Sequence, residues 1–266
     1  MVRKNGCVKI ADTEMYYVSF GRGEKNLIVL PGLSDGLATV KGKALILSAP
    51  YKRFSKEYTV YMFSRKNSMP EGYSIRQMAE DQVAALDILG IRKTSVLGVS
   101  QGGMIAQYIA IDHPEIVEKL ILAVTAPNAS AVADRVVRSW IGMAQKGDHV
   151  SLMADTAEKM YSGGYLKKYR RMAPIIARFT KPDDYERLLR NALAILDFDA
   201  RDEISKIQCP TLILAGEDDN TVGNEAAPEL KSRIPDSEIY IYKGLGHGAY
   251  EEARDFYDRV YEFVGR

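Results

Sequence analysis

The sequence is poor in cysteine, histidine and tryptophan. Its 266 residues include 2 cysteines, 3 histidines and 1 tryptophan. Cys7 and Cys209 lie near opposite ends of the chain in apolar, strand-like runs, which predicts two buried, reduced thiols rather than a disulfide. The histidines are His113, His149 and His247, so an enzyme that needs an imidazole base has few candidates here.

Neither one sign of charge nor a long apolar run dominates the chain. The 36 Lys and Arg residues oppose 35 Asp and Glu, a net charge of +1, which gives no electrostatic reason to expect a nucleic acid or a membrane surface as partner. No apolar run approaches the ~20 residues that span a bilayer, and the charged N-terminus lacks the apolar core of a secretory signal. We therefore expect a cytoplasmic protein with no membrane span and no nucleic-acid partner.

Short aliphatic runs alternate with helical patterns along most of the chain. Cys7–Ile10 and Glu14–Phe20 predict an antiparallel pair with its turn at Ala11-Asp12. Such uninterrupted apolar runs are typical of a parallel sheet covered on both faces, and their alternation with helices indicates a doubly wound α/β sheet. The further predicted strands are Asn26–Leu30, Thr59–Phe63, Ser95–Val99, Leu120–Val124, Thr211–Ala215 and Glu238–Tyr242.

Helices are predicted over Ser74–Leu89, Gln101–Ile111 and Ala249–Val264. Residues 127–200 differ from the rest because every pattern in them is helical. An all-helical segment between two core strands predicts a cap or lid over the carboxyl edge of the sheet, with a long crossover as the alternative. The predicted organisation is a core of residues 1–126 and 201–266 with a cap insertion of residues 127–200.

The segment Gly98-Val99-Ser100-Gln101-Gly102 lies between a predicted strand and a predicted helix. A G-x-S-x-G sequence in this context is typical of a tight turn that exposes a nucleophilic serine, because side chains two residues away would collide with neighbouring backbone. The alternative is an ordinary serine that caps its own helix. We expect Ser100 to be the nucleophile of an enzyme.

A serine hydroxyl needs a base to take its proton, and the base needs a group that orients it. His247 lies between glycines in a loop after the last predicted strand, where it could reach another strand end. His113 ends a helix, where an imidazolium complements the helix C-terminus, and His149 is expected at the surface of the insertion. We therefore predict His247 as the base.

The orienting carboxylate is expected at the end of a core strand, in Gly216-Glu217-Asp218-Asp219-Asn220. Asp218 and Asp219 both compete for this role, and Glu217 is a weaker candidate. An oxyanion that develops on the substrate also needs donors. We predict the backbone N–H groups of Gln101, after the nucleophile, and of Leu33, in the loop Pro31-Gly32-Leu33-Ser34.

Over nearly its whole length the chain resembles the α/β-hydrolase fold superfamily, in its serine-nucleophile, esterase- or lipase-like branch. Ser100, Asp219 and His247 follow the family's order, and the family's acid commonly lies three positions after a glycine that corresponds to Gly216, which favours Asp219. The resemblance implies a mostly parallel sheet of about eight strands with a helical cap at residues 127–200. Many members have His-Gly in the oxyanion loop where this chain has Pro31-Gly32, but that histidine is structural.

The insertion holds adaptable side chains that suit either an acyl pocket or a cap packed on itself. It also has 12 Lys and Arg against 9 Asp and Glu, a surplus of 3 that leaves open the steering of an anionic substrate. The run Lys167-Lys168-Tyr169-Arg170-Arg171 is expected to be a solvated face. The methionines and aromatic residues concerned are Met143, Met153, Met160, Met172, Trp140, Tyr161, Tyr165, Tyr169, Phe179 and Tyr185.

These features together predict a serine hydrolase that cleaves a carboxylic ester or thioester of a small to medium acyl group. It would work through a Ser-His-Asp triad and an acyl-enzyme, with a small molecule as substrate and with no metal or organic cofactor. Cleavage of a carbon–carbon bond or acyl transfer on the same triad is an alternative. A non-catalytic protein that binds a ligand in the cleft is another, and the oligomeric state is left open.

Overall fold

A computed structural model describes the backbone of residues 1–266 and all side chains except those of Pro174, Ile175 and Phe179. The strands are β1 (Arg3–Ile10), β2 (Thr13–Gly21), β3 (Lys25–Leu30), β4 (Tyr58–Phe63), β5 (Thr94–Val99), β6 (Val117–Ala123), β7 (Thr211–Gly216) and β8 (Ser237–Tyr242). They form one 8-stranded sheet in the order β1-β2-β4-β3-β5-β6-β7-β8. β2 is antiparallel to both β1 and β4, and the pairs from β4 to β8 are parallel. The predicted α/β-hydrolase fold is confirmed.

Helices cover both faces of the sheet and fill the connection between β6 and β7. They are α1 (Ala44–Leu47), α2 (Ile75–Ile88), α3 (Gln101–Asp112), α4 (Ala131–Gln145), α5 (His149–Met160), α6 (Gly163–Thr180), α7 (Glu186–Leu196), α8 (Ala226–Arg233), α9 (Ala249–Glu252) and α10 (Phe256–Gly265). Short 3-10 segments lie at Leu33–Gly36, Ala49–Lys56 and Ile204–Lys206. None of the helices, as far as their residues are described, is long and apolar enough to cross a membrane.

The central strands are buried on both faces, as their apolar sequences predict. Ile28 and Leu30 of β3 belong to a core with α2, α3 and α8, whereas Leu27 and Val29 belong to a second core with α10 and the segment Ala49–Lys56. This alternation follows from the two-residue period of a strand. Every residue of β5 and β7 is buried, so the ends of these strands are held rigidly.

The helical segment between β6 and β7 leaves and rejoins the sheet region at neighbouring points. Asn128 and Asp199 form an isolated antiparallel bridge. The Ala129 N–H donates to the Phe198 carbonyl at 3.0 Å, and the Ala200 N–H donates to the Pro127 carbonyl at 2.8 Å. Helices α4 to α7 lie between these pinned ends.

Two details differ from the sequence-based expectations. The segment Ala249–Val264 is two helices, because the backbone at Ala253 is extended (ψ 120°) and ends α9 after Glu252. Cys7 is exposed on the edge strand β1 and Cys209 is half-buried, so the prediction of two buried thiols is wrong for Cys7; both cysteines are free. The edge strand has no neighbour on its outer side, which leaves alternate side chains in contact with solvent.

Candidate active site

Ser100 lies in a strained turn between β5 and α3. Its backbone has φ 53° and ψ −119°, a conformation that residues other than glycine rarely adopt. A Cβ atom at Gly98 would lie 2.4 Å from the Gly102 carbonyl oxygen, and one at Gly102 would lie 2.0 Å from the Leu30 carbonyl oxygen. The expected steric reason for these glycines is confirmed, and the turn leaves the Ser100 hydroxyl at the carboxyl edge of the sheet.

The neighbouring strand end supports this turn. The Ser100 N–H donates to the Ala123 carbonyl at 2.9 Å, and the Thr125 hydroxyl donates to the Ser100 carbonyl at 2.7 Å. Val124, between them, has φ 44°, which is strained for a β-branched residue. The sequence carries no signal for Thr125, since nothing in the local pattern distinguishes it from any threonine at a strand end.

Three side chains singled out from the sequence form one hydrogen-bonded chain. His247 Nε2 lies 2.9 Å from Ser100 Oγ, and His247 Nδ1 lies 2.8 Å from Asp219 Oδ2. The imidazole is 4% exposed. A carboxylate at Nδ1 holds the proton of a neutral imidazole on that nitrogen, so Nε2 is left to accept. This arrangement can take the proton of the Ser100 hydroxyl.

Asp219, rather than Asp218, faces the imidazole. Asp219 is buried, and its Oδ1 accepts from the N–H groups of Thr221 at 2.9 Å and Val222 at 3.0 Å. Asp218 is exposed. Glu217 is also exposed and accepts from the N–H of Gly244. Both Asp219 oxygens are thus fixed, which orients the carboxylate toward His247.

The loop that carries His247 passes closely under the α5–α6 connection. The Gly248 N–H donates to the Met160 carbonyl at 2.7 Å. A Cβ atom at Gly246 would lie 3.0 Å from the same carbonyl oxygen, and one at Gly248 would lie 2.7 Å from the Tyr161 ring. The two glycines therefore allow close contact with this connection, a more specific reason than the general loop flexibility expected from the sequence.

The two predicted oxyanion donors are free to bind a substrate. Neither the Leu33 nor the Gln101 backbone N–H donates a hydrogen bond to any described residue. Gly32 lies beside the nucleophile, since a Cβ atom there would be 3.3 Å from the Ser100 Cβ. Pro31 lacks an N–H, but neither predicted donor is at that position. Two unpaired N–H groups near a serine hydroxyl could stabilise a negatively charged oxygen.

A buried charged network lies behind these donors. The Arg65 guanidinium donates to Gln101 Oε1 at 3.0 Å, and the Arg65 N–H donates to Asp35 Oδ2 at 2.9 Å. Arg187 of α7 donates to Asp35 Oδ2 at 2.6 Å and to the Arg65 carbonyl at 2.9 Å, and Gln101 Nε2 donates to the Asn191 carbonyl at 2.7 Å. Burial lowers the pKa of Arg65 to about 10, while Asp35 opposes this shift.

The partners of this network cannot be recognised from the sequence. Arg65 stands in the loop before α2, and Asp35 follows the predicted oxyanion loop by one residue, but no local pattern indicates a role for either. Arg187 gave no signal at all, because it is one of several charged residues on an amphipathic helix. Only packing of α7 against the Leu33–Gly36 turn shows that these groups meet.

A cavity of about 250 Å³ opens beside Ser100 and His247. Its walls are mostly apolar and come from the Leu33 loop and from helices α4 to α7. Of the methionines and aromatic residues noted in the insertion, those that line it are Trp140, Met153, Met160, Tyr161 and Tyr169. Phe179 is outside the described side chains. Tyr165 and Met172 are exposed.

The other two histidines lie away from this chain of hydrogen bonds. His113 ends α3 as expected, and its Nε2 lies 2.9 Å from Glu80 Oε1. His149 is 3% exposed, so the expectation of a surface position is wrong; its Nε2 lies 3.1 Å from the Thr180 hydroxyl. Packing of α5 against the end of α6 causes this burial. Among the described residues, no group of three or more His, Cys, Asp or Glu is placed to hold a metal ion.

Comparison with known proteins gives consistent matches. The sequence model of the alpha/beta hydrolase fold family matches residues 53–253. A provisionally assigned carbamate hydrolase, RutD, of Stutzerimonas stutzeri is 28% identical over 247 residues, which are 88% of this chain and 90% of that protein. The AB hydrolase superfamily protein YisY of Bacillus subtilis is 30% identical over 70% of this chain and 71% of its own.

A solved structure agrees with the fold. MGS-M2, an alpha/beta hydrolase enzyme from a Medee basin deep-sea metagenome library, superimposes with a TM-score of 0.86 over 98% of both chains, at 20% sequence identity. This likeness concerns the fold alone. Together with the family match over most of the chain, the sequence relatives identify the protein: it belongs to the alpha/beta hydrolase fold family and is a hydrolase.

Proposed function

We propose that this protein is a serine hydrolase that cleaves a carboxylic ester or thioester of a small to medium acyl group. The observation that carries the proposal is the hydrogen-bonded chain from Ser100 through His247 to Asp219, with distances of 2.9 Å and 2.8 Å. The unpaired N–H groups of Leu33 and Gln101 beside it support an acyl-transfer reaction.

Acylation starts when Ser100 Oγ attacks the substrate carbonyl carbon while its proton moves to His247 Nε2. The carbonyl oxygen becomes negatively charged and accepts hydrogen bonds from the N–H groups of Leu33 and Gln101. Asp219 stabilises the imidazolium without taking a proton. The intermediate then collapses: the bond to the leaving oxygen or sulfur breaks, and the leaving group takes the proton from His247.

Deacylation repeats these steps with water as the nucleophile. His247 Nε2 takes a proton from the water as its oxygen bonds to the acyl carbon, and the same two N–H groups hold the oxyanion. Collapse breaks the bond to Ser100 Oγ, which regains a proton from His247. The carboxylic acid leaves, and the enzyme returns to its initial state with all protons accounted for.

We further propose that residues 127–200 form a cap that shapes the acyl pocket. Support comes from the bridge between Asn128 and Asp199 at its ends and from the cavity walls that α4 to α7 supply. A cavity of about 250 Å³ with mostly apolar walls suits a hydrocarbon acyl group. For this reason we prefer a carbon-rich ester to the carbamate in the name of the Stutzerimonas relative.

Covalent labelling tests the nucleophile directly. A fluorophosphonate probe is expected to label the wild-type protein at one residue and to leave folded Ser100→Ala unlabelled, because only an activated serine attacks phosphorus at a useful rate. Ser34→Ala is the matched control: Ser34 also lines the cavity but has no imidazole beside it, so this variant should still be labelled. Equal labelling of wild type and Ser100→Ala, measured by intact-protein mass, would refute the proposal.

A further inference from the structure

The cavity beside Ser100 carries an acidic residue that the proposed reaction does not use. Glu251, on α9, lines the cavity four residues after His247. Apart from His247, it is the only acidic or basic side chain among the described residues that line this cavity. Its Oε2 accepts a hydrogen bond from the Tyr161 hydroxyl at 2.8 Å. Glu251 is also exposed to solvent, so its carboxylate contributes a negative charge at the solvent-facing side of a predominantly apolar cavity.

Tyrosine rings line the same cavity as this carboxylate. Tyr161, Tyr169 and Tyr250 line the cavity with it. The Tyr161 ring centroid lies 4.8 Å from that of Tyr165 and 5.5 Å from that of Tyr169. Burial and Glu251 raise the pKa values of Tyr161 and Tyr250, so these phenols stay protonated and bring no opposing charge. Aromatic rings around a carboxylate favour a cation through both Coulomb attraction and the negative faces of the rings.

The charge of Glu251 is not balanced by the protein. Neither Glu251 nor the adjacent Glu252 forms an ion pair with a lysine or arginine whose side chain is described. The basic residues of α6 do not line the cavity; Lys167 and Lys168 are exposed and Arg170 pairs with Glu158. No basic residue of the insertion is among the described residues that line the cavity, so Glu251 makes the cavity unfavourable for an anionic substrate.

We propose that Glu251, with the rings of Tyr161 and Tyr169, forms a subsite for a cationic group on the substrate, either a protonated amine or a quaternary ammonium. This inference rests on the proposed ester hydrolysis at Ser100, since it assigns the charge of the substrate taken by the same cavity. The cation would lie at the end of the substrate remote from the scissile carbonyl, and hydrocarbon between the two would contact the apolar walls.

Pairs of isosteric esters test this subsite. The first pair is butyrylcholine, the butyrate ester of choline, and its neutral isostere, in which a tert-butyl group replaces trimethylammonium. A second pair carries the same two groups on the acyl side of the ester. We expect kcat/KM to favour the cationic member about tenfold in at least one pair, the scale of a partly desolvated cation–π contact with a carboxylate. Glu251→Gln should bring that ratio close to unity.

Glu252→Gln is the matched control. It removes the same charge from the next residue, but Glu252 binds the Ser162 N–H and hydroxyl and does not line the cavity. The cation-to-neutral ratio should therefore stay near that of wild type, even if the overall rate falls. An equal loss of the cation-to-neutral ratio in the two variants would mean a diffuse charge effect and would overturn the subsite. Equal kcat/KM values within both isosteric pairs in the wild-type protein would also overturn it.

Binding separates this inference from the proposed function. Calorimetric titration of folded Ser100→Ala with each member of the two pairs needs no turnover. Tighter binding of a cationic ester, lost when Glu251→Gln is added, supports the subsite even if no ester is hydrolysed by wild type. Hydrolysis of the neutral esters without any preference in rate or in binding leaves the proposed function standing and overturns the subsite.

Discussion

At the scale of single residues, the candidate site depends on atoms that have been brought close and then fixed. Ser100 is held at φ 53° by hydrogen bonds from its own N–H to Ala123 and from Thr125 to its carbonyl. Asp219 has no freedom to rotate, because one oxygen accepts two backbone N–H groups and the other accepts from His247. Each group is thus oriented before a substrate arrives, which lowers the reorganisation that the reaction requires.

The adjacent aspartates give a paired test of the acid. Asp219→Asn should lower kcat by roughly 10⁴-fold, because an amide NH₂ facing Nδ1 favours the imidazole tautomer whose proton is on Nε2 and which cannot accept from Ser100. Asp218→Asn should leave kcat close to wild type, since Asp218 is exposed and does not contact the imidazole. Steady-state kinetics on a chromogenic ester measures both, and comparable losses would argue against the assignment of Asp219.

At the scale of secondary-structure elements, α5 and α6 carry much of the cavity wall. The α5–α6 connection contacts the His247 loop through the bond from the Gly248 N–H to the Met160 carbonyl. Ser162 at the start of α6 binds Glu252 through its N–H and its hydroxyl. Glu251 and Glu252 of α9 therefore both contact this connection, Glu251 through Tyr161 and Glu252 through Ser162.

The other end of this helix pair contains a titratable group in a buried position. His149 Nε2 lies 3.1 Å from the Thr180 hydroxyl, and its ring centroid lies 6.0 Å from that of Tyr185. His149 Nδ1 is buried and has no hydrogen-bond partner among the described residues. Burial, followed by repulsion from Lys181, lowers the pKa of His149 below its ordinary value of 6.5.

This lowered pKa predicts an acid-sensitive stability. The unfolded chain binds a proton at His149 more readily than the folded chain, so stability is complete above pH 6.5 and is lost as the pH falls from there toward the folded-state pKa. His149→Gln cannot titrate and should lose less stability over the same range, by at most about 1.4 kcal/mol per pH unit for one proton. Urea unfolding at a series of pH values measures the difference; parallel curves for the two proteins would exclude this role.

At the scale of the whole molecule, the network of Arg65, Asp35, Arg187 and Gln101 joins the helical insertion to the carboxyl edge of the sheet. Arg187 lies on α7, Asp35 follows Leu33 by two residues, and Gln101 carries the other proposed oxyanion donor. The turn and α7 are in close contact, since a Cβ atom at Gly36 would lie 2.8 Å from the Leu188 Cα. We expect α7 to move with the core and to support the proposed oxyanion loop.

The charges in this network predict an order of destabilisation. Asp35→Asn leaves the buried guanidinium of Arg65 and the partly buried one of Arg187 without a counter-charge and should cost about 3–5 kcal/mol. Arg187→Met leaves Asp35 paired with Arg65 and removes hydrogen bonds to Asp35 and to the Arg65 carbonyl, so a smaller loss of about 1–3 kcal/mol is expected. Chemical denaturation gives both values, and a larger effect of Arg187→Met would contradict this account. In Arg187→Met, kcat should also fall, as the oxyanion loop loses its support.

Several features of this protein could be predicted from its sequence because they depend on local chemistry alone. The strands, the turn at Ala11-Asp12 and the glycines around Ser100 follow from steric rules that act over a few residues. Ser100, Asp219 and His247 each stand in a short segment with its own pattern. Their order along the chain could therefore be compared with that of a known family. These rules predicted the doubly wound sheet, Ser100 and His247, whereas only the family's spacing after Gly216 favoured Asp219 over Asp218.

Tertiary packing decided the rest, because contacts between distant segments leave no local pattern. Asp35 meets Arg187 across 152 positions of the chain, and Tyr161 meets Glu251 across 90. The burial of His149 and the exposure of Cys7 depend likewise on which surface lies opposite each of them. The sequence by itself determined where a nucleophile, a base and an acid could stand, and the folded chain determined which aspartate faces the imidazole and which charge lies in the cavity.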